Sequence, residues 1–158
     1  MTGKNTRGSV DQRILGELQK RGRVSLKEIA RKLHIPVSTV HEKVKRLERE
    51  GLIKSYHALL NSEALGFGVT SFILVSVDYS SSQKPDQQKL AKKISSLKNV
   101  QEVQIISGDW DILVKIKARS VRSAGDFVTK HLRKISGVGK TKTMVVFETV
   151  KESTAIDL

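Results

Sequence analysis

Between residues 10 and 50 the apolar positions recur with helical spacing. Val10, Ile14, Leu15 and Leu18 fall three and four residues apart and predict a first helix over about residues 10–20, ended by Gly22. Ser9 and Gln12 stand at capping-box spacing at its start. Leu26, Ile29, Ala30 and Leu33 then form a second stripe at i, i+3, i+4 and i+7. Ser25 followed by Glu28 is the capping box that starts this helix. A third helix over about 36–50 turns Val40, Val44 and Leu47 inward and Ser38, His41, Glu42, Lys45 and Arg49 outward. Pro36 suits its first turn, where an N–H would go unpaired, and Gly51 suits its left-handed end. Two short helices across a tight break, with a small-polar and basic outer face on the second, is a helix-turn-helix layout. The first helix supplies the third wall of a core that two helices could not enclose.

Past residue 51 the period shortens. Leu52–Leu60, rich in Leu, Ile and Tyr with some polar alternation, predicts a strand acting as wing or linker, and Gly66 and Gly68 mark the join to a second module. Strands are predicted over Val69–Tyr79, Val100–Ser107, Ile112–Ala118 and Thr141–Val150. Helices are predicted over Asp86–Leu97, with Leu90, Ala91, Ile94 and Leu97 on one face, and over Ser120–Ile135, with Val121, Ala124, Phe127, Val128, Leu132 and Ile135 inside. The order βαββαβ predicts a four-stranded ferredoxin-like sheet with both helices on one face. The other face would carry apolar residues that need a partner subunit. The expected class is therefore α+β, a winged helix-turn-helix joined by a linker strand to a ferredoxin-like domain. The segments are a flexible basic tail (1–8), the helix-turn-helix unit (9–51), a linker (52–68) and the ferredoxin-like domain whose open face would serve oligomerisation (69–158).

Charge sharpens this picture. The chain of 158 residues has 29 basic and 16 acidic residues, a net charge of +13. Residues 1–61 hold 14 basic and 6 acidic side chains against 15 and 10 in residues 62–158, so the excess is denser in the helical part. Such a surface attracts phosphate polymers and releases their counterions, which predicts double-stranded DNA as a partner. The absence of cysteine excludes disulfides, thiolate metal sites and cysteine nucleophiles and fits a reducing compartment. No stretch has signal-peptide character or membrane-spanning length, so a soluble cytoplasmic chain is expected, with no membrane partner.

Two further stretches carry candidate chemistry. In Gly108-Asp109-Trp110-Asp111, Gly108 lets the backbone pass close to a ligand, neighbouring amides could meet a carboxylate, and Asp109 and Asp111 could accept from an ammonium group. The alternative is an ordinary Gly-Asp hairpin turn. Ser136–Thr141 resembles the end of a phosphate-binding loop but has lysine at 134 where that motif needs glycine, and its helix and strand stand in reverse order. The histidines, His34, His41, His57 and His131, lack metal-ligand spacing. Asp109 and Asp111 have no nucleophile or histidine nearby in sequence, so no enzyme, metal or cofactor is expected.

Asp11 with Ile14-Leu15, Arg23-Val24-Ser25, Glu28-Ile29-Ala30, Ser38-Thr39-Val40, the run Val44 through Ile53, Gly108 with Asp111, and Gly137 through Thr143 together resemble the Lrp/AsnC (leucine-responsive, feast/famine) regulators. The resemblance covers the chain from Val10. It departs in the turn, where His34-Ile35-Pro36 replaces the usual Gly-Leu-Ser, and at Lys43, where arginine is common. It implies a DNA-binding transcription regulator built of dimers, often assembled to tetramers, octamers or larger arrays, with amino acids bound between C-terminal modules. On that reading Ser38, His41, Glu42 and Lys45 face base edges, and Thr39, Lys43, Arg46 and Arg49 face phosphates. Gly108, Asp109 and Asp111, with Thr141 and Thr143 as the family's other contacts, face the effector. Two rivals remain: an architectural protein wrapping DNA with little sequence preference, and a small-molecule or catalytic module whose helical part only dimerises.

Overall fold

The computed structural model of the chain describes residues 10–80 and 86–158, so the N-terminal tail and the Ser9 cap lie outside the described residues. The chain divides into two compact units, Met1–Leu59 with Lys151–Leu158, and Leu60–Val150.

The first unit contains helices α1 (Val10–Lys20), α2 (Leu26–Leu33) and α3 (Val37–Arg49). The Ser25 hydroxyl accepts from the Glu28 amide at 3.1 Å and the Glu28 carboxylate accepts from the Ser25 amide at 3.2 Å, closing the predicted capping box. Ile14, Ile29 and Val40, one from each helix, are fully buried and meet Ala30, Leu33, Val44 and Leu47 in one core. The turn between α2 and α3 depends on His34, whose φ of 55° and ψ of 45° are left-handed. The imidazole-bearing backbone thus takes the conformation that glycine usually supplies, and Pro36 follows as the cap of α3 without a side-chain hydrogen bond. Gly51 is left-handed at the far end, with φ of 72°.

Residues 52–60 form no strand, which corrects the predicted linker strand. A strand requires a ladder partner, and no segment of the described chain pairs with these residues. Leu52 and Ile53 instead donate back to the Leu47 carbonyl, and the Tyr56 hydroxyl donates to Glu48 at 2.9 Å. Partial burial and the Glu48 carboxylate push that phenol up to about 12. The segment Lys151–Leu158, expected in the second module, clusters with the first unit. There the Gln19 amide donates to the Ile156 carbonyl at 3.2 Å and accepts from the Ile156 N–H at 2.9 Å.

The second unit is an antiparallel sheet of β1 (Val69–Val77), β2 (Val100–Ile105), β3 (Ile112–Ala118) and β4 (Val138–Val145), in the order β2-β3-β1-β4. This is the strand order of a ferredoxin-like βαββαβ fold. Ile73, Val75 and Val77 of β1 and Ile112, Val114 and Ile116 of β3 alternate inward, where they meet Leu90 and Ile94 of α4 (Gln87–Ser95) and Ala124 of α5 (Val121–Asp126). The predicted single helix 120–135 is broken. After α5 the chain widens to a π turn at Phe127–His131 and tightens to a 3₁₀ turn at Leu132–Lys134, keeping Phe127, Val128 and Leu132 buried through the change of pitch. Strand β4 starts earlier than expected, because Val138 pairs with Val77 across a bulge, and stops at Val145 opposite Ser71. Beyond that point β1 has almost run out and offers Val146 a single bond to Thr70. Phe72, Leu74, Leu113 and Met144 share the opposite face of the sheet with Lys115 and Lys142.

Candidate functional site

Helix α3 presents an exposed row of Val37, Ser38, His41, Glu42, Lys45 and Arg49, while Thr39 is half-buried. Sequence reasoning missed Val37. It is 45% exposed at the helix start, where an apolar side chain suits a thymine methyl. The exposed Lys27 and Arg31 of α2 were missed as well; the helix preceding a recognition helix crosses the sugar-phosphate backbone. Their position on the outward side of an amphipathic helix was readable from its period.

Lys43 and Arg46 are placed differently from the other α3 residues. The Lys43 ammonium lies 2.8 Å from Asp11 Oδ1 of α1, and an Arg46 Nη2–Asp11 Oδ2 bond completes a three-residue tie. The Asp11 side chain is only 16% exposed. The Lys43 hydrogen bond above all, with the charges of Lys43 and Arg46, holds its carboxyl below the usual 3.8, against the opposing effect of burial. Both cations brace α3 against α1. Glu17 ties α1 to α2 in the same manner through Lys32 at 2.7 Å, and it also pairs within α1 with Lys20 at 3.6 Å.

In the second unit Gly108 has φ of 111°, so the turn before β3 uses a conformation that other residues rarely adopt. Asp109 is exposed. Asp111 is committed internally. Its Oδ2 accepts from the Val77 amide at 2.7 Å, and Gln87 Nε2 donates to its carbonyl at 3.2 Å. Its own N–H donates to the Val75 carbonyl at 3.1 Å. Val75 pairs with Thr141 on its other side, so the turn and Thr141 flank β1, about 10 Å apart across two strand spacings. Thr143 lies one pair further along, opposite Ile73. Arg133 Nε donates to the Thr141 hydroxyl at 2.9 Å, which brings a guanidinium to this sheet edge that periodicity could not reveal. Replacing Asp111 by alanine leaves the Val77 amide without its acceptor. The expected loss is about 1–3 kcal/mol from the second unit's transition in urea, with the first unit's transition unchanged.

The comparisons with known proteins match both units. Residues 9–54 match the model of a winged helix-turn-helix DNA-binding domain and residues 70–156 that of the Lrp/AsnC ligand binding domain. An HTH-type transcriptional regulator of Pyrococcus abyssi is 42% identical over 143 residues, covering 90% of this chain and 94% of its own. The leucine-responsive regulatory protein of Escherichia coli is 33% identical over 144 residues, 91% of this chain and 87% of its own. A transcriptional regulator of Neisseria meningitidis, solved as a complex with L-Met, superposes with a TM-score of 0.86 at 25% identity, covering 94% of this chain and 95% of that one. With a DNA-reading head, a ferredoxin-like effector module and these relatives along nearly its whole length, the chain belongs to the Lrp/AsnC family of DNA-binding transcriptional regulators.

Proposed function

We propose that α3 reads a pseudo-palindromic operator as one of a pair of heads, and that an amino acid bound at the Gly108–Asp111 turn shifts the assembly. The exposed row Val37, Ser38, His41 and Lys45, set behind the left-handed turn at His34, carries this reading. Ser38, His41, Glu42 and Lys45 contact base edges and Thr39 and Arg49 contact phosphates, while Lys43 and Arg46 act through Asp11. Replacing Ser38 and Lys45 together by alanine is expected to lower operator affinity on the order of 100-fold while leaving scrambled DNA within about threefold. Fluorescence anisotropy on the DNA that footprinting identifies upstream of the protein's own gene measures it. A parallel loss on both DNAs would support non-specific wrapping instead.

On the effector side, the amides around Gly108 and the Arg133 guanidinium suit a carboxylate, and Asp109 suits an ammonium group. Asp111 supports the turn from behind, Thr141 fixes Arg133, and Thr143 lines the same edge. The L-Met in the Neisseria meningitidis structure supports this ligand class. The apolar face bearing Phe72, Leu74, Leu113 and Met144 supports assembly through paired sheets into a dimer, and from dimers into tetramers, octamers or larger arrays in the cytoplasm. A ligand shifts this assembly only by binding one arrangement more tightly than another. Isothermal titration with the twenty amino acids, followed by sedimentation, is expected to give heat and a changed assembly for at least one of them. Silence across all twenty sinks the amino-acid reading.

A further inference from the structure

The charge of the second unit is segregated by layer. The stretches that form its helical layer, residues 86–99 and 119–136, contain nine basic and two acidic side chains. The remaining residues of Leu60–Val150 contain five basic and six acidic ones. The whole positive excess of the unit therefore lies on one side of the sheet. The packing explains why it faces outward. Helix α4 turns Leu90 and Ile94 into the core and leaves Lys89, Lys92 and Lys93 exposed, while Arg122, Lys130, Arg133 and Lys134 are exposed along the broken second helix. Lys89 reaches Asp86 at 3.6 Å and Lys130 reaches Asp126 at 3.1 Å, which uses both acidic residues of the layer. Among the described residues no carboxylate lies within 4.0 Å of Lys92, Lys93, Lys98, Arg122 or Lys134.

A face kept only for solubility mixes both signs, as the rest of this unit does. A second copy of the same layer would meet it with like charge, so this layer is a poor self-interface. The partner whose chemistry fits is a polyanion of even charge density. Duplex DNA presents one negative charge per ~1.7 Å of axis, and the reading head already brings it close, so that even a weak second attachment acts at high effective concentration.

We propose that the outward helical layer of the effector module is a second, sequence-independent DNA-contacting surface, which takes the duplex running on beyond the site read by α3. The proposal rests on the reading of α3 as the operator-contacting helix.

The test compares the full chain with a variant carrying Lys92→Glu, Lys93→Glu, Arg122→Glu and Lys134→Glu, on an operator duplex of about 20 base pairs and on one of about 80 base pairs with the same operator at its centre. The readout is the ratio of the two affinities, because a change in overall charge alone would weaken both. The wild type is expected to prefer the longer duplex, and the variant to lose that preference on the order of tenfold. Its salt slope on the longer duplex should be shallower by ~0.9 for each phosphate no longer neutralised. The corresponding glutamine variant should fall between them, and unchanged circular dichroism excludes misfolding. An unaltered ratio overturns the proposal, as does a variant that changes only its sedimentation. Failure of the wild type to prefer operator over scrambled sequence at about 20 base pairs would instead count against the α3 reading, independently of the helical layer.

Discussion

Truncating Ile29 to alanine is expected to unfold the reading head and abolish operator binding while the effector module stays folded. Ile29 is fully buried in α2, between the fully buried Ile14 of α1 and Val40 of α3. Removing its outer carbons costs the transfer free energy of those atoms and leaves a cavity at the meeting point of three helices, together about 2–5 kcal/mol. A unit of this size has only about 3–10 kcal/mol in total, at ~0.05–0.15 kcal/mol per residue, so the loss removes a large part of the whole. The second unit has its own core around Ile73, Val114 and Ile116, built from none of these side chains. Two-phase thermal melting followed by circular dichroism should show the first transition moved below growth temperature and the second in place. A variant that still binds operator within about tenfold of wild type would show that the three isoleucine and valine side chains are not the centre of the head.

Replacing Asp11 by asparagine is the second large effect, and it depends on pH. The Lys43 hydrogen bond, with the charges of Lys43 and Arg46, lowers the folded carboxyl below 3.8. A lowered folded value means that the unfolded chain binds the proton more readily, so the ionised carboxylate stabilises the head above the ordinary value. That contribution disappears as pH falls through the lower folded value. At neutral pH the asparagine variant should be less stable by about 1–2 kcal/mol, since Lys43 loses its counter-charge and Arg46 keeps only Glu50, at 3.8 Å, while the Asp11 side chain itself is largely buried. Denaturant melts run from pH ~8 downward should show the two proteins converging below pH ~4. The same substitution frees Lys43 and Arg46, so binding to scrambled DNA should rise and steepen with salt even as the fold weakens. A constant difference across the whole pH range would mean that Asp11 contributes shape and not charge.

The Asp11 tie also marks where sequence reasoning stopped. Residues that act within one turn of themselves were legible: the Ser25–Glu28 box, the Gly51 ending and the inward rows Ile29–Leu33 and Val40–Leu47 all follow from local periods and caps. So did the βαββαβ order, because alternation along Ile112–Ala118 needs no knowledge of its neighbours. The internal contacts of Lys43, Arg46 and Asp111 were not legible. Nothing on a helical wheel shows that Lys43 and Arg46 meet Asp11 on a different helix, and nothing in the Gly108–Asp111 turn shows that Asp111 accepts from the Val77 amide. Such pairings depend on how elements pack, which periodicity does not encode. The strand expected over residues 52–60 failed for the same reason: they have β-favouring side chains, but β structure belongs to pairs of strands. Arg133 escaped notice because it is one basic residue in a basic helix, and only the fold sets it against Thr141.

The Gln19–Ile156 clasp bears on how this head can be moved to another protein. Heads of this kind invite grafting, in which residues up to the linker are fused to a foreign sensor to make a new switch. Here the clustering of Lys151–Leu158 with the head and the two-way bond to Gln19 make the head a discontinuous part, assembled from two stretches of chain with the sensor inserted between them. A chimera cut after Leu59 would remove both backbone partners of Gln19 on α1. One that inserts the new sensor between residues 59 and 151, as nature has done with this one, keeps the part whole.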